Sequence, residues 1–313
     1  MVSIIIPVYN SELFISKTIQ SAINQTYKNT EIIIVDNDSK DGSWEIIKKF
    51  QEKDNRIKSF RNQTNEGPVR NWLRCVEMAS GHYIKILWSD DLIAENFIEK
   101  TLPLFSEDVG FVFTGVTIFS NSNHLVGNKN YFLKHTQRFK SSKYINNAIF
   151  TKNMPYSPGC AIFRSEDVRK NLLLQIPNKL GSDFSMHAIG SDLLLFLLTA
   201  KDYKFFGHVN ENLSFFRSHK TSISVQSLSD GKLPLHYALA KSYFIENFYD
   251  EYKSSFAAEI QLLLWRYDGS HRYGMKAVQD FYFTNVKFNI FHLAKAIILN
   301  LIDALRIILN KIL

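Results

Sequence analysis

Residues 31–43 read EIIIVDNDSKDGS, a continuous apolar run that ends in a cluster of polar residues. An apolar run without alternation predicts a strand, here over 31–35, that is buried on both faces as in a parallel sheet. The polar residues that follow are typical of a turn, and Ser43 is a good N-cap for a helix. The segment therefore predicts a strand, a turn and a helix, with acidic side chains at the carboxyl end of a buried strand.

The same alternation of strands and helices extends on both sides of this segment. Further apolar runs predict strands over residues 2–8, 57–60, 83–88 and 109–119. Helical periodicity predicts helices that begin near Ser11, Ser43, Pro68 and Ala94. Strands and helices at this spacing predict an α/β fold with a mixed, mostly parallel, Rossmann-like sheet flanked by helices.

The second half of the chain has a looser pattern. Helices are predicted over residues 141–152, 165–174 and 190–199, and strands over 160–163 and 205–217. Residues 225–235 read VQSLSDGKLPL, which is typical of a linker, and residues 236–313 have a helical pattern throughout. We therefore predict an α/β domain over residues 1–224 and a helical C-terminal region over residues 225–313.

Composition excludes several classes of protein. The chain has 313 residues, 45% of them hydrophobic and 21% charged, which excludes a disordered chain. Cys75 and Cys160 are the only cysteines, too few for a disulfide framework or a four-cysteine zinc site. The net charge of +7 favours anionic partners such as phosphates or lipid headgroups, but the basic residues are scattered, so we expect no nucleic-acid binding. The N-terminus, MVSIIIPVYN, lacks the basic segment of a secretory signal, and we expect a cytoplasmic protein.

Polar clusters follow three of the predicted strands. They are Tyr9-Asn10 after the first strand, residues 36–43 after the second, and residues 89–91 (Ser-Asp-Asp) after the fourth. An acid at the end of a buried strand can accept a hydrogen bond from a base or a ribose, and two adjacent acids can bind a divalent cation held by phosphates. The alternative for each cluster is a turn or a helix N-cap. The sequence contains neither G-x-G-x-x-G nor G-x-x-x-x-G-K-[ST], which disfavours dinucleotide dehydrogenases and P-loop NTPases.

Taken in chain order, six segments resemble the motifs of the family 2 glycosyltransferases, which have the GT-A fold. The segments are SIIIPVYNSE (3–12), EIIIVDNDSKDGS (31–43), NEGPVRNWLRCVEMASGHYIKIL (65–87), WSDD (88–91), IGSDLLLFLL (189–198) and LSFFRSHKTSIS (213–224). The resemblance implies an inverting enzyme that moves a sugar from a nucleotide-sugar donor to a hydroxyl of a glycan or lipid-linked glycan. The implied setting is bacterial O-antigen, capsule or related polysaccharide synthesis. The alternative is an inactive nucleotide-sugar-binding scaffold of a membrane glycosylation complex.

The resemblance also implies roles for individual residues. The implied donor-binding residues are Pro7, Tyr9, Asn10, Glu12, Asp36, Asp38, Arg70, Ser89, Asp90, Asp91 and Arg217. Asp90 and His219 would hold a divalent cation, Mg²⁺ or Mn²⁺, which together with Arg217 offsets the charge on the leaving diphosphate. Asp192 would be the general base that deprotonates the acceptor hydroxyl. The alternatives are a helix cap for Asp192, a surface ion pair for Arg217 and a structural role for His219.

The sequence departs from the family pattern at a few positions. Asn37 stands in the place of the second acid in the second cluster, and Asp38 in the place of a glycine. Trp88 stands in the place of the first acid of the D-x-D metal motif, and Ser191 where many members have Glu. Trp88 therefore removes one potential metal ligand and can form an apolar wall against the donor sugar, which would suit a deoxygenated sugar. The alternative is a core tryptophan at a strand end.

The C-terminal tail has an amphipathic pattern of its own. In residues 289–311 the polar and basic side chains fall on one helical arc and aliphatic side chains fill the rest. This pattern predicts an interfacial helix on an anionic leaflet, and a membrane-spanning helix is not expected. The alternative is a helix packed on the catalytic domain or on a second subunit. We thus expect peripheral contact with the inner face of the cytoplasmic membrane.

Overall fold

The computed structural model describes residues 1–120, 123–150, 154–219, 222, 227, 231–287, 290–298 and 301. The chain divides into two compact units. The first unit comprises Met1–Gln175 and Asp183–Ser222, and the second comprises Ile176–Ser182 and Ile223–Leu313.

A ten-stranded sheet is the centre of the first unit. Its strands are β1 (Val2–Val8), β2 (Thr30–Asp36), β3 (Ile57–Arg61), β4 (Tyr83–Ile86), β5 (Leu92–Ile93), β6 (Val109–Phe119), β7 (Asn128–Asn130), β8 (Gln137–Lys140), β9 (Ala161–Arg164) and β10 (Phe205–Arg217). The order is β3-β2-β1-β4-β9-β6-β10-β5, with β7 paired to β6 and β8 paired to β10. The first four strands of this order are parallel, and β9 is antiparallel to both of its neighbours. The sheet is therefore mixed, as predicted.

Eight helices accompany the sheet in the described part of the first unit. They are α1 (Ile15–Ile23), α2 (Ser43–Gln51), α3 (Pro68–Met78), α4 (Phe97–Thr101), α5 (Ser141–Phe150), α6 (Ser165–Asn171), α7 (Phe184–His187) and α8 (Ser191–Asp202). The helix predicted to begin near Ala94 is short: α4 spans only Phe97–Thr101, and a 3-10 turn over Leu102–Leu104 follows. Pro103 explains the change, because proline has no N–H to continue α-helical hydrogen bonding.

The apolar runs of the sequence form buried strands. Every residue of β1 and of β2 is buried, as expected for parallel strands covered on both faces. The helix α3 starts with Pro68 directly after Gly67, whose φ of +84° lies in the region that favours glycine. Its apolar face, including Val69 and Trp72, is buried. These elements bring the ends of β1, β2 and β4 together at one edge of the sheet.

The second unit is helical, with interruptions that the sequence pattern did not predict. Its helices are α9 (Lys232–Phe248), α10 (Lys253–Arg266), 3-10 turns over Asp268–Tyr273 and Val278–Phe281, and residues 290–298. The expectation of helix throughout residues 236–313 is wrong, because Gly274 ends a turn at φ +73° and residues 282–287 are not helical. The predicted linker over 225–235 is also too long, since α9 begins at Lys232. In the described parts of the chain, no helix has the length and apolar character needed to cross a membrane.

Candidate functional site

The candidate site lies where three parallel strands end side by side. In the order β2-β1-β4, the register pairs Val8 with Asp36 and Ile5 with Ile86. The carboxyl ends of these strands therefore face the same edge of the sheet, where an open α/β sheet binds its ligands. Tyr9, which follows β1, is 46% exposed there, whereas Pro7 is buried within β1.

Asp36 at the end of β2 is a buried carboxylate with one oxygen unsatisfied. Its Oδ2 pairs with Arg61 Nε at 3.1 Å and accepts a hydrogen bond from the Ser39 N–H at 3.2 Å. Its Oδ1 is buried and has no hydrogen-bond partner. Burial raises the pKa of Asp36 above its usual value, against the hydrogen bonds of Ser39 and the charge of Arg61. Because an unsatisfied buried acceptor is costly, Oδ1 is suited to accept an N–H from a ligand.

The loop after β2 is held by the polar side chains that follow β1. Asn10, at φ +47°, accepts the Lys40 N–H at 2.8 Å and donates its own N–H to Ser39 Oγ at 2.9 Å. Glu12 Oε2 accepts the Gly42 N–H at 2.8 Å. Two of the residues expected to bind the donor, Asn10 and Glu12, therefore also fix the backbone of the loop.

Asp38 is in the same loop and has an unusual backbone. Its φ is +64°, and its carboxylate lies 2.7 Å from Lys40 Nζ and 3.8 Å from Arg61. A glycine, which the family has at this position, adopts this backbone conformation easily, whereas Asp tolerates it less well. The positive φ therefore explains only in part how the substitution is accommodated.

A buried network of asparagines, which the sequence analysis missed, joins the strand ends. Asn37 Oδ1 accepts from Asn62 Nδ2 at 2.7 Å and from the Glu66 N–H at 3.0 Å. Asn71 Nδ2 donates to the Val35 carbonyl at 3.1 Å. Asn62 Nδ2 also reaches Asn71 Oδ1, at 3.2 Å. Amides placed far apart in sequence gave no signal of this network, which anchors the start of α3 to the end of β2.

Arg70 points toward α7 in this structure. The side chain is exposed, and its Nη1 donates to Ser185 Oγ at 3.0 Å. Ser185 is in turn bonded to Asp183, which caps α7. The structure thus places the guanidinium beside α7, and its predicted contact with the donor remains a prediction.

The third cluster joins two segments that are distant in sequence. Asp90 Oδ2 lies 2.9 Å from His219 Nε2, and both side chains are partly exposed. Arg217 donates its Nε to the Asp90 carbonyl at 3.0 Å and its backbone N–H to Asp91 Oδ1 at 2.8 Å. Its guanidinium also packs on Phe119, with the ring centroid 4.5 Å away. The D-x-D position and the R-x-H segment therefore form one site.

Asp90 and Asp91 have different environments although they are adjacent. Asp91 is 6% exposed, and burial together with the neighbouring charge of Asp90 raises its pKa well above the usual value. Its Oδ1 is directed to the Arg217 backbone N–H. Asp90 is therefore the more accessible carboxylate of the pair, and Asp91 holds the backbone of the segment that carries Arg217.

The residues present fit a divalent cation that is shared with a substrate diphosphate. Among the residues that the structure describes, no three side chains of His, Cys, Asp or Glu gather as a metal site. Asp90 and His219 supply one oxygen and one nitrogen. Mg²⁺ commonly binds through one or two carboxylates, with substrate phosphates and water completing its octahedron. Two protein ligands are therefore enough for this kind of site, even with Trp88 in place of an acid.

Asp192 lies in the first turn of α8. Its Oδ1 accepts the Gly190 N–H at 2.9 Å and the Leu193 N–H at 2.8 Å. Gly190 has a φ of +112°, which requires glycine, and thereby sets the direction in which α8 begins. Burial raises the pKa values of Tyr131 and Tyr156, and the negative charge of Asp192 adds to this effect. The carboxylate is therefore close enough to these phenols to act on them electrostatically, and the phenols remain neutral.

Comparison with protein families identifies a relationship over the first half of the chain. The profile of glycosyl transferase family 2 matches residues 3–172. A UDP-Glc:alpha-D-GlcNAc-diphosphoundecaprenol beta-1,3-glucosyltransferase of Escherichia coli is 39% identical over 126 residues, which are 40% of this chain and 47% of the relative. The chain spans less than half the length of the curated relatives that it matches.

Solved structures share the fold at low sequence identity. S. aureus TarS 1–349 in complex with UDP-GlcNAc aligns with a TM-score of 0.64 and 18% identity, covering 85% of this chain and 72% of that one. The mannosyltransferase PcManGT from Pyrobaculum calidifontis, in complex with GDP-Man and Mn²⁺, aligns with a TM-score of 0.53 and 14% identity, covering 87% and 73%. These similarities confirm the predicted GT-A fold.

Proposed function

Because the chain belongs to glycosyl transferase family 2, we propose that it transfers a sugar from a nucleotide-sugar donor to a hydroxyl of a glycan or lipid-linked glycan, with inversion. The observation that carries the proposal is the meeting of Asp90, His219 and Arg217 beside the strand ends. An accessible carboxylate, an imidazole and a guanidinium at one point are suited to a diphosphate and its cation.

The nucleotide base is assigned to the end of β2. Asp36 Oδ1 is buried and without a partner, so a base N–H would satisfy it. Tyr9, exposed at the end of β1, offers an aromatic face beside it. This orientation places the diphosphate toward β4, where Ser89 and Asp90 follow the strand.

The diphosphate and cation are assigned to the third cluster. Asp90 and His219 would hold the cation, which, when bound, neutralises charge that develops on the leaving diphosphate. Arg217 is held in position by its bonds to Asp90 and Asp91 and contributes a fixed positive charge. A charge that is already oriented needs no reorganisation as the bond to the sugar breaks.

Asp192 is assigned as the general base. Its two backbone N–H donors fix the carboxylate at the start of α8. The 3-10 turn over Pro158–Cys160 contacts both α8 and β4, so one short segment links the helix that carries Asp192 to the strand that precedes the third cluster. In this arrangement the carboxylate takes the proton of the acceptor hydroxyl as that oxygen attacks the anomeric carbon from the face opposite the diphosphate.

The acceptor is assigned by similarity and by the surface of the tail. The E. coli relative acts, by its name, on a diphosphoundecaprenol-linked sugar. In this chain Ile290, Phe291 and Leu301 are 75%, 80% and 60% exposed, and Lys287 and Lys295 are nearby in sequence. Exposed apolar side chains with basic neighbours favour contact with an anionic lipid surface. We therefore place the protein at the inner face of the cytoplasmic membrane, in surface-polysaccharide synthesis.

Trp88 favours a second candidate, an inactive scaffold that binds nucleotide-sugars in a membrane glycosylation complex. A tryptophan cannot replace the missing acid as a metal ligand. The two candidates differ in turnover and agree in donor binding, so an activity assay separates them.

The experiment uses the full chain and a panel of nucleotide-sugars. Donors are first ranked by the rise in melting temperature, since ligand binding to the folded state stabilises it. The donors that bind are then incubated with Mn²⁺ and bacterial lipid extract, and the glycolipid product is identified by mass spectrometry. Transfer to lipid supports the enzyme, donor binding without transfer supports the scaffold, and no donor binding contradicts both.

A further inference from the structure

Trp88 is fixed on two sides at the end of β4. Its indole N–H donates to Ser157 Oγ at 2.8 Å. Its ring lies against that of Trp72 on α3, with centroids 4.7 Å apart and planes inclined by 43°. Trp72 itself is buried, whereas Trp88 is only half-buried. The orientation of the partly exposed Trp88 ring is therefore fixed by its hydrogen bond to Ser157 and by its contact with Trp72.

The turn that receives the indole N–H is packed closely against it. Ser157 Oγ also accepts the Gly159 N–H, at 3.3 Å. A Cβ on Gly159 would lie 2.9 Å from Trp88 Nε1 and 3.1 Å from the ring of Phe216. Only glycine fits there, because contacts below 3.0 Å force a neighbour to move. The turn is thus wedged between the ends of β4 and β10.

Lys85 attaches this turn to the middle of the sheet. The side chain is fully buried in β4, and its Nζ donates to the Gly159 carbonyl. The Phe97 ring lies 4.5 Å from the same nitrogen. A buried ammonium is tolerated only where hydrogen bonds or charges compensate for its loss of hydration. The hydrogen bond to the turn is therefore needed to keep Lys85 in this position. Burial lowers the pKa of Lys85 to about 7, and the nearby Asp91 opposes the shift.

We propose that Trp88 is a specificity-determining wall of the donor-sugar site, held by the 157–160 turn that Lys85 tethers, and that it selects sugars carrying a methyl group. The inference rests on the proposed function, which places the sugar next to the diphosphate. Trp88 precedes Ser89 and Asp90 and is thereby adjacent to the diphosphate end of the donor.

The preference for a methyl group follows from the hydrogen bond that the Trp88 indole N–H already makes. Because Ser157 takes the only polar hydrogen of the indole, Trp88 has none left to offer a sugar hydroxyl. A sugar hydroxyl placed against the ring would lose its hydrogen bonds to water without gaining another partner, which is unfavourable. A methyl group in the same place is stabilised by its burial. The methyl group can belong to a 6-deoxy sugar or to an acetamido substituent.

The experiment compares matched donors on the full chain. UDP-N-acetylglucosamine is paired with UDP-N-formylglucosamine, which lacks only the methyl group, and GDP-mannose with its 6-deoxy counterpart, GDP-D-rhamnose. We expect one pair to show a preference of about tenfold or more in kcat/KM for the methyl-bearing donor, a size that differences in pocket contacts can supply. The pair that shows it identifies which kind of methyl group the wall accepts.

Variants then test whether the preference comes from the wall. Trp88→Asp and Ser157→Ala should each reduce the preference to less than about threefold, mainly through KM, since one removes the ring and the other its anchor. Trp88→Phe should retain much of the preference, because it keeps an apolar ring. Lys85→Met tests whether the lysine holds the 157–160 turn in place. The matched control is Trp265→Phe, which changes an exposed tryptophan of the second unit. Affinity for free UDP or GDP should stay within about twofold in Ser157→Ala, which separates loss of selectivity from loss of fold.

Three results would overturn the inference. The first is equal kcat/KM within both matched pairs in the unchanged protein. The second is an unchanged preference in Trp88→Asp and Ser157→Ala. The third is a loss of affinity for free UDP or GDP as large as the loss of selectivity in Ser157→Ala, which would make the anchor purely structural. In all three the donors are still bound, so the proposed function stands; failure of every nucleotide-sugar to bind would remove both.

Discussion

Replacing Asp192 by Asn separates the general base from a helix cap, which are the two roles open to this residue. Asn retains an oxygen acceptor, so the hydrogen bonds from the Gly190 and Leu193 N–H groups, at 2.9 and 2.8 Å, can persist. The negative charge is lost from the first turn of α8, which costs about 0.3–1 kcal/mol at a helix N-terminus. The free energy of unfolding should therefore fall by no more than about 1 kcal/mol.

The effect on turnover should be far larger than the effect on stability. A positioned general base contributes a factor of about 10² to 10⁴, so kcat of Asp192→Asn should fall by that factor. The KM for the donor should change little, because the base acts on the acceptor in the chemical step. The measurements are steady-state kinetics of sugar transfer and thermal unfolding of the same preparations.

The control is Asp54→Asn, which removes a carboxylate that likewise accepts a backbone N–H but also pairs with the Arg56 guanidinium, at 2.6 Å. Asp54 accepts the Arg56 N–H at 3.0 Å before β3, at the amino end of that strand. The Asp54→Asn protein should lose at least as much stability, because the ion pair with Arg56 is lost as well, and should keep its kcat. The assignment of Asp192 as the base is refuted if Asp192→Asn has a kcat close to that of the unchanged protein, and Asp192 is then a helix cap.

Three further predictions concern the third cluster, the tail and the sheet. Asp90→Ala should abolish the part of donor binding that depends on Mn²⁺, measured by calorimetry; equal binding in EDTA and in Mn²⁺ by the unchanged protein would contradict the cation assignment. Deletion from residue 286 onward should leave a folded protein that no longer floats with anionic liposomes, and a full-length protein that ignores such liposomes would contradict the membrane proposal. Glu31 is buried, which by itself raises its pKa, but hydrogen bonds from Lys58, Ser3 and Ser80 bring the pKa from 4.5 to about 2. Glu31→Gln should thus lose about 3 kcal/mol of stability at neutral pH. The difference from the unchanged protein should narrow as the pH falls from 4.5 toward 2, where the native carboxylate takes up its proton, and a difference that is independent of pH would contradict this assignment.

The parallel half of the sheet was predictable because its signals are local. Continuous apolar runs gave β1 and β2 with bounds within one residue, since residues buried on both faces leave no alternation to misread. The antiparallel strand β9 between β4 and β6 was not predictable in its place, because strand order depends on contacts across more than 70 residues of chain. The same limit applies to Ile176–Ser182, a short segment that belongs to the second compact unit although residues on both sides belong to the first.

The sequence indicated the candidate site through residue types that are characteristic of ligand binding, and it gave no sign of the ordinary residues that support them. The acids at strand ends and the R-x-H segment are unusual enough to be noticed, and the structure brings Asp90 and His219 within 2.9 Å. The frame consists of amides such as Asn62 and Asn71 and of the buried Lys85, residue types that are common on surfaces. Their burial is decided by the tertiary structure, so a single sequence gives them no distinguishing mark.

Asp90 and Asp91 are the same residue type, but their different positions in the structure give them different environments and contacts. The sequence presents two neighbouring acids of equal standing. In the structure, Asp91 is buried and bonded to the Arg217 backbone, while Asp90 is accessible and beside His219. Because burial disfavours the charged form, Asp91 is the poorer cation ligand and the better anchor for the segment that carries Arg217 and His219. The second acid thus holds the segment that carries the arginine and the histidine beside the first, which explains why a carboxylate, an imidazole and a guanidinium meet at one point although Trp88 stands in place of an acid.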